Sequence, residues 1–283
     1  MRGGGRGGFG AVPRIDLDVG VDEHRTETPP EPSDPFGLDP PFRERVAPVF
    51  RFLHDRYFRV EVTGADYLPS SGPVLLVANH SGAIPFDGAM ICTAADARAN
   101  RIVRFTFDRF VDQMPPVASF YRRVGGIVAA RENVIAVLEH GEAVLVFPEG
   151  VSGVAKPFTH RYHLRAFSPG FARIALALDV PIVPVAVVGA EEIYPLLGRA
   201  EGVGRLIGSP YLPITPFFPL LGLLGTLPLP TKWFIRFGRP IRLTPVDEEA
   251  RWIRARLESL KVRRKVQAMV TRLKRRRRSV FFG

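Results

Sequence analysis

Three runs of small or branched apolar residues constrain this chain more than any other feature: VLLVA at 74–78, AVLVF at 143–147 and IVPVAVV at 182–188. Such runs suit strands buried on both faces of a sheet. Helical patterns stand between them, at 88–98, 117–123, 132–140 and 167–178, and further strand patterns lie at 59–62, 102–107 and 233–237. The alternation predicts an α/β fold, a mixed and largely parallel sheet flanked by helices. In such sheets ligands bind outside the carboxyl ends of the strands. The residues that follow each run are therefore the first candidates for a site.

The first run breaks into Asn79, His80, Ser81 and Gly82, and Asp87 follows at the head of the helical stretch. A histidine there can act as a base, with a carboxylate to orient it. On a continuous helix two residues seven apart lie roughly 10 Å from each other, too far for a hydrogen bond. Pro85 disfavours helical geometry at Ile84, so the linker reads as a loop able to fold Asp87 back. A buried histidine and a helix-capping aspartate are the plainer reading of the same residues. The second run enters Pro148-Glu149-Gly150, placing Glu149 where His80 stands on the first. Arg131, after the apolar segment 126–130, is either a solvated first-turn residue or an anion contact with a fixed fork of donors. In the polar loop 151–163, Lys156, Arg161 and His163 either face an anionic ligand or are simply solvated.

The formal charge of +11 belongs to one end of the chain. Residues 251–278 hold thirteen Lys and Arg against one acid, Glu258, which leaves 26 basic and 27 acidic residues elsewhere. The pattern there reads as a basic amphipathic helix over 246–278, carrying Trp252, Ile253, Leu257, Leu260, Val266, Met269, Val270 and Leu273. An anionic membrane surface suits it. Nucleic acid is the other partner for such charge, but no DNA or RNA module and no aromatic platform for stacking bases accompanies it. Residues 1–40, rich in Gly, Arg, Pro and acids, read as a disordered segment ahead of a domain at 41–245. Residues 42–57 form an amphipathic pattern that either docks on the core or lies at a membrane surface.

Residues 210–231 carry no charge, a length that suits a membrane span, yet six prolines interrupt them. Irregular backbone is not tolerated against lipid tails. The stretch reads as an apolar loop that caps a hydrophobic channel, dips into one leaflet, or folds into the protein. The single cysteine, Cys92, excludes an internal disulfide and suits a reducing compartment. The opening residues have no apolar segment of signal-peptide type. His160 and His163 lack acidic or cysteine neighbours, so no metal site is expected, and no Gly-x-Ser-x-Gly elbow suggests an esterase serine.

Four blocks in order give the chain a resemblance to the glycerolipid acyltransferases, the lysophospholipid acyltransferase-like proteins. They are Asn79-His80 with Asp87, GIVAAR at 126–131, FPEG at 147–150 and IVPV at 182–185, within a similarity running from about Phe52 to Pro245. The resemblance implies O-acyl transfer from a thioester, acyl-CoA or acyl carrier protein, to a lipid hydroxyl, with no further cofactor. It implies His80 as general base and Asp87 as its orienting partner. Glu149 resembles the family's acceptor-binding acid, and Arg131 and Lys156 would hold anionic parts of the substrates. Asn79, Ser81, Gly82, Phe147, Pro148, Gly150 and Arg161 complete the implied substrate-binding set. Backbone N–H groups near Ser81 and Gly82 or at the Gly150 turn are the candidate oxyanion donors.

Two departures stand out. Six residues rather than the usual four separate His80 from Asp87, a spacing similar to that of a subgroup acting on neutral lipids. Val151-Ser152 follows Gly150 where the family commonly has an arginine that contacts phosphate, a place Lys156 or Arg161 would have to fill. The implied protein is peripheral or monotopic on the cytoplasmic face of a membrane with anionic lipids. The rival reading is a lipid-binding scaffold of the same fold that lacks turnover.

Overall fold

The structure is a computed structural model that describes residues 34–81, 86–206 and 211–283. The described residues belong to one compact unit. The segment read as disordered lies mostly outside them.

Helix α1 (Pro40–Phe52) opens the fold and is capped by Asp39, whose side chain accepts from the Phe42 N–H at 3.0 Å. Strands β1 (Glu61–Thr63) and β2 (Val74–Ala78) precede α2 (Phe86–Ala99), β3 (Val103–Phe107), α3 (Arg109–Asp112) and α4 (Pro115–Arg123). Then come β4 (Gly126–Val128), α5 (Arg131–Glu139), β5 (Ala143–Val146), the short turn of helix α6 (Val151–Val154), α7 (Gly170–Leu178) and β6 (Ile182–Val188). A small hairpin of β7 (Gly198–Ala200) and β8 (Leu212–Ile214), with α8 (Glu201–Leu206) between them, is followed by β9 (Phe234–Phe237) and α9 (Glu248–Arg276).

The three apolar runs become adjacent central strands. The sheet order is β1-β9-β6-β2-β5-β3-β4, and β6, β2, β5, β3 and β4 all run parallel. Strand β9 is antiparallel to β6, and β1 pairs with β9 in parallel. Every residue of β2 and β6 is buried, because helices cover both faces. On one face α5, α7 and α9 pack over Val77, Val144 and Ala186. On the other, α2 packs with Phe58, Trp233 and Phe237 over Leu76 and Val185. The carboxyl ends of five parallel strands thus share one edge of the sheet.

Two elements differ from their sequence reading. Helix α9 does not stand apart from the domain: Ala255, Ser259, Val262, Val266, Val270 and Leu273 form a buried stripe against α7 and β6. Polar bonds fix it further, with Ser259 Oγ donating to the Phe167 carbonyl at 3.2 Å and Gln267 Nε2 to the Tyr162 carbonyl at 2.8 Å. In the described part of the apolar stretch 210–231, Tyr211, Thr215 and Thr231 are buried while several leucines face outward, so it is not folded entirely into the protein. Tyr57 Oη donates to the Pro228 carbonyl and Tyr194 Oη to that of Thr226, yet Leu220, Leu221, Leu224 and Leu227 are all exposed. Helix α1 docks on the core through Phe42 and Phe50 against Phe120 and leaves Val49 and Phe52 outside. Among the described residues no helix is long and apolar enough to cross a membrane. Cys92 donates to the Val103 carbonyl at 3.5 Å, and desolvation pushes its thiol up to about 12, so it stays protonated.

Asn79 extends the central ladder past the end of β2. Its Oδ1 accepts from the Val187 N–H at 2.8 Å and its Nδ2 donates to the Val187 carbonyl at 3.1 Å, all buried. Asn79→Ala leaves both backbone groups unpaired, so a loss of about 2–4 kcal/mol is expected in urea unfolding.

Candidate active site

His80 leaves β2 at the shared edge and turns its ring back over the head of α2. Its Nδ1 lies 2.9 Å from Asp87 Oδ2, and its side chain keeps 15% exposure while that of Asp87 is fully buried. Asp87 thus lies within hydrogen-bond reach of His80, and Pro85, expected to break the helix between them, lies outside the described residues. The same Oδ2 accepts from the Ser81 N–H at 2.8 Å, and Oδ1 lies 2.9 Å from the Gly88 nitrogen. An ionised carboxylate is an acceptor only, so with Asp87 as the anion the donor in this contact is His80 Nδ1–H. Phe147, at the exit of β5, stacks on the imidazole with centroids 4.1 Å apart and an angle of 21°.

Glu149 fixes the backbone of His80. One carboxylate oxygen accepts from the His80 N–H at 3.0 Å, and the other from the Arg165 N–H at 2.6 Å and from Lys156 Nζ at 3.3 Å. Lys156 is also 2.9 Å from Glu191 Oε1, and Glu191 Oε2 accepts from the Tyr162 N–H at 2.6 Å. Desolvation raises the Glu191 carboxyl above its ordinary range, partly opposed by Lys156. Two glycines let this cluster close. Gly150, at φ 56° and ψ −151°, holds a turn that other residues resist. A Cβ on Gly153 would stand 2.8 Å from Glu149 Cβ and 3.0 Å from His80 Cβ, so α6 can lie directly on the histidine.

Several residues expected to meet substrate serve the scaffold instead. Asn79 belongs to the sheet, and Glu149 and Lys156 are buried in their own ion pairs, with side-chain exposures of 0% and 3%. Lys156 therefore does not replace the missing arginine. Ser152 Oγ donates to the Glu149 carbonyl at 2.6 Å and the Pro148 carbonyl accepts from the Ser168 N–H. The oxyanion donors expected at Ser81 and Gly150 are occupied, the first by Asp87 and the second by the Phe147 carbonyl. Gly82 lies outside the described residues. Arg161 stacks on Phe158 at 4.3 Å and lies 3.8 Å from Glu192. Arg131 begins α5 on the outer strand, exposed, with no ion pair among the described residues. No cluster of metal-ligating side chains occurs among the described residues.

Glu191 and Glu192 were missed in the sequence although a signal existed. They follow the third apolar run as His80 and Asp87 follow the first and Glu149 the second. Tyr162 and Arg277, which bond to each other at 3.1 Å with Arg277 also on Glu192, gave no such sign.

Residues 59–188 match the family described as Acyltransferase. An uncharacterized protein of Mycobacterium leprae is 42% identical over 88% of this chain and 70% of its own length. The chain belongs to the acyltransferase family. It is an acyltransferase in class. The human DGAT1/2-independent enzyme synthesizing storage lipids is 27% identical over 76% of this chain and 62% of its own. The fold is similar to that of PlsC, the 1-acyl-sn-glycerophosphate (LPA) acyltransferase from Thermotoga maritima. The TM-score is 0.51 at 21% identity, over 82% of this chain and 81% of that one.

Lys156→Met would leave Glu149 and Glu191 buried without their shared cation. A loss of about 3–5 kcal/mol is expected, read as a lower denaturation midpoint. Gly153→Ala tests the close approach: acyl transfer should fall more than stability, measured by turnover beside thermal unfolding.

Proposed function

We propose that this acyltransferase, whose acceptors are glycerolipids, uses His80 Nε2 as a general base on the acceptor hydroxyl. The observation that carries this is the 2.9 Å contact of His80 Nδ1 with buried Asp87, on a side chain that keeps 15% exposure. An alcohol is a poor nucleophile until its proton is taken as attack begins. The oxygen then bonds to the thioester carbonyl carbon, the C–S bond breaks, and the proton on Nε2 passes to the departing thiolate. Asp87 stabilises the imidazolium between the two transfers. The thioester is acyl-CoA or acyl carrier protein, and the new ester needs no covalent acyl-enzyme.

The acceptor is a hydroxyl of a glycerolipid or lysophospholipid drawn from a membrane. The burial of Lys156 between two carboxylates favours an acceptor without phosphate, such as diacylglycerol, and exposed Arg131 is our candidate for an anionic part of the donor. The similarity to storage-lipid enzymes points the same way. Exposed Leu220, Leu221, Leu224, Leu227 and Phe52 suit peripheral contact with a lipid surface, which we place at the cytoplasmic face. Their segment is tied to Tyr194, whose ring is 6.5 Å from Phe86, next to Asp87.

The test is acyl transfer from labelled palmitoyl-CoA to diacylglycerol, lysophosphatidic acid, other lysophospholipids and a long-chain alcohol. His80→Ala should lower turnover by about 10²–10⁴-fold in a protein that still folds, checked by thermal unfolding. Full activity of that variant would sink the base assignment, and lipid binding without turnover by the native chain would favour a scaffold.

A further inference from the structure

Helix α9 has two apolar stripes, and the core accounts for one of them. The buried stripe runs from Ala255 to Leu273. The second, formed by Trp252, Ile253, Leu257 and Leu260, covers about 140° of the arc adjoining the buried stripe, with Trp252 at their border. These four side chains keep 48%, 67%, 50% and 45% exposure, far more than large apolar groups need in a helix already docked. The cations around them divide into two groups. Arg254 and Lys261 pair with Glu258, and Arg263 donates to backbone carbonyls. Arg256, Arg264 and Lys265 are exposed with no ion pair among the described residues, and Arg256 lies 5.8 Å over Trp252.

We infer that this outer stripe of α9 is the surface by which the protein seats on an anionic lipid bilayer. The inference rests on the reading that the acceptor comes from a membrane, and it names the face that meets it. A bilayer offers both halves of the match, an acyl boundary for the four apolar chains and headgroup charge for the three free cations. Tryptophan at the head of the stripe suits that boundary, with an apolar ring and an N–H that stays wet. A nucleic-acid backbone would satisfy the cations and leave the apolar side chains in water. Because the inner stripe already holds α9 to α7 and β6, binding needs no helix to fold or detach.

The experiment uses the full chain and co-sedimentation with vesicles of zwitterionic phospholipid, with and without an anionic phospholipid. The paired substitution Ile253→Glu and Leu257→Glu should weaken vesicle binding by about tenfold or more. Replacing Arg256, Arg264 and Lys265 by Gln should weaken it on anionic vesicles only. Turnover of acceptor dispersed in detergent micelles should be the same in the Ile253→Glu/Leu257→Glu protein as in the native chain. Unchanged vesicle binding in that protein would overturn the inference. So would tight binding of duplex DNA that survives the apolar substitutions while vesicles are ignored. Absence of turnover in every protein would count against the reaction, while the vesicle result would still decide the surface.

Discussion

The buried carboxylate of Glu149 is the contact on which the rest of this site depends. It takes the backbone N–H of His80 from the end of β2, the N–H of Arg165 from a later loop, and the ammonium of Lys156. The end of β2, far off in sequence, is thereby fixed to the segment that follows Glu149 and carries Lys156 and Arg165. A carboxylate out of water requires such donors, so its burial and the position of His80 are one constraint. Lys156 extends the cluster to Glu191, and Glu191 to the Tyr162 backbone. The imidazole needs no loop motion to meet Asp87, since its backbone is held from one side and its Nδ1 from the other.

The sheet supplies the frame for this arrangement. Parallel pairing of β6, β2, β5, β3 and β4 brings their carboxyl ends to one edge, where polar groups can sit against a fully apolar floor. Reversal of β9 carries Trp233 and the end of the apolar 210–231 stretch to that same edge. Chemistry and exposed leucines are therefore neighbours, as an enzyme acting on lipids requires. Helix α9 closes the opposite face with one stripe and turns a second outward.

Much of this was legible in the residues themselves. Strands buried on both faces have a signature, an unbroken apolar run, and VLLVA, AVLV and IVPVAVV showed it. Polar residues placed just after such runs marked His80, Asp87 and Glu149, because the exit of a central strand is where a sheet presents side chains to a ligand. What the pattern could not supply was pairing across long separations. Lys156 reads as a solvated loop cation until Glu149 and Glu191 are seen on either side of it. Asn79 reads as part of the site until its side chain is seen completing the ladder with Val187. Helix α9 has the composition of a membrane-surface helix throughout, and only packing separates the stripe that meets the core from the stripe that does not.

The pairing of His80 with Asp87 is read by nitrogen NMR of the protein labelled in histidine, at a pH where the ring is uncharged. A protonated Nδ1 and a bare Nε2 are expected for His80, with loss of that preference in Asp87→Asn. A His80 ring protonated on Nε2 in the native protein would contradict this pairing.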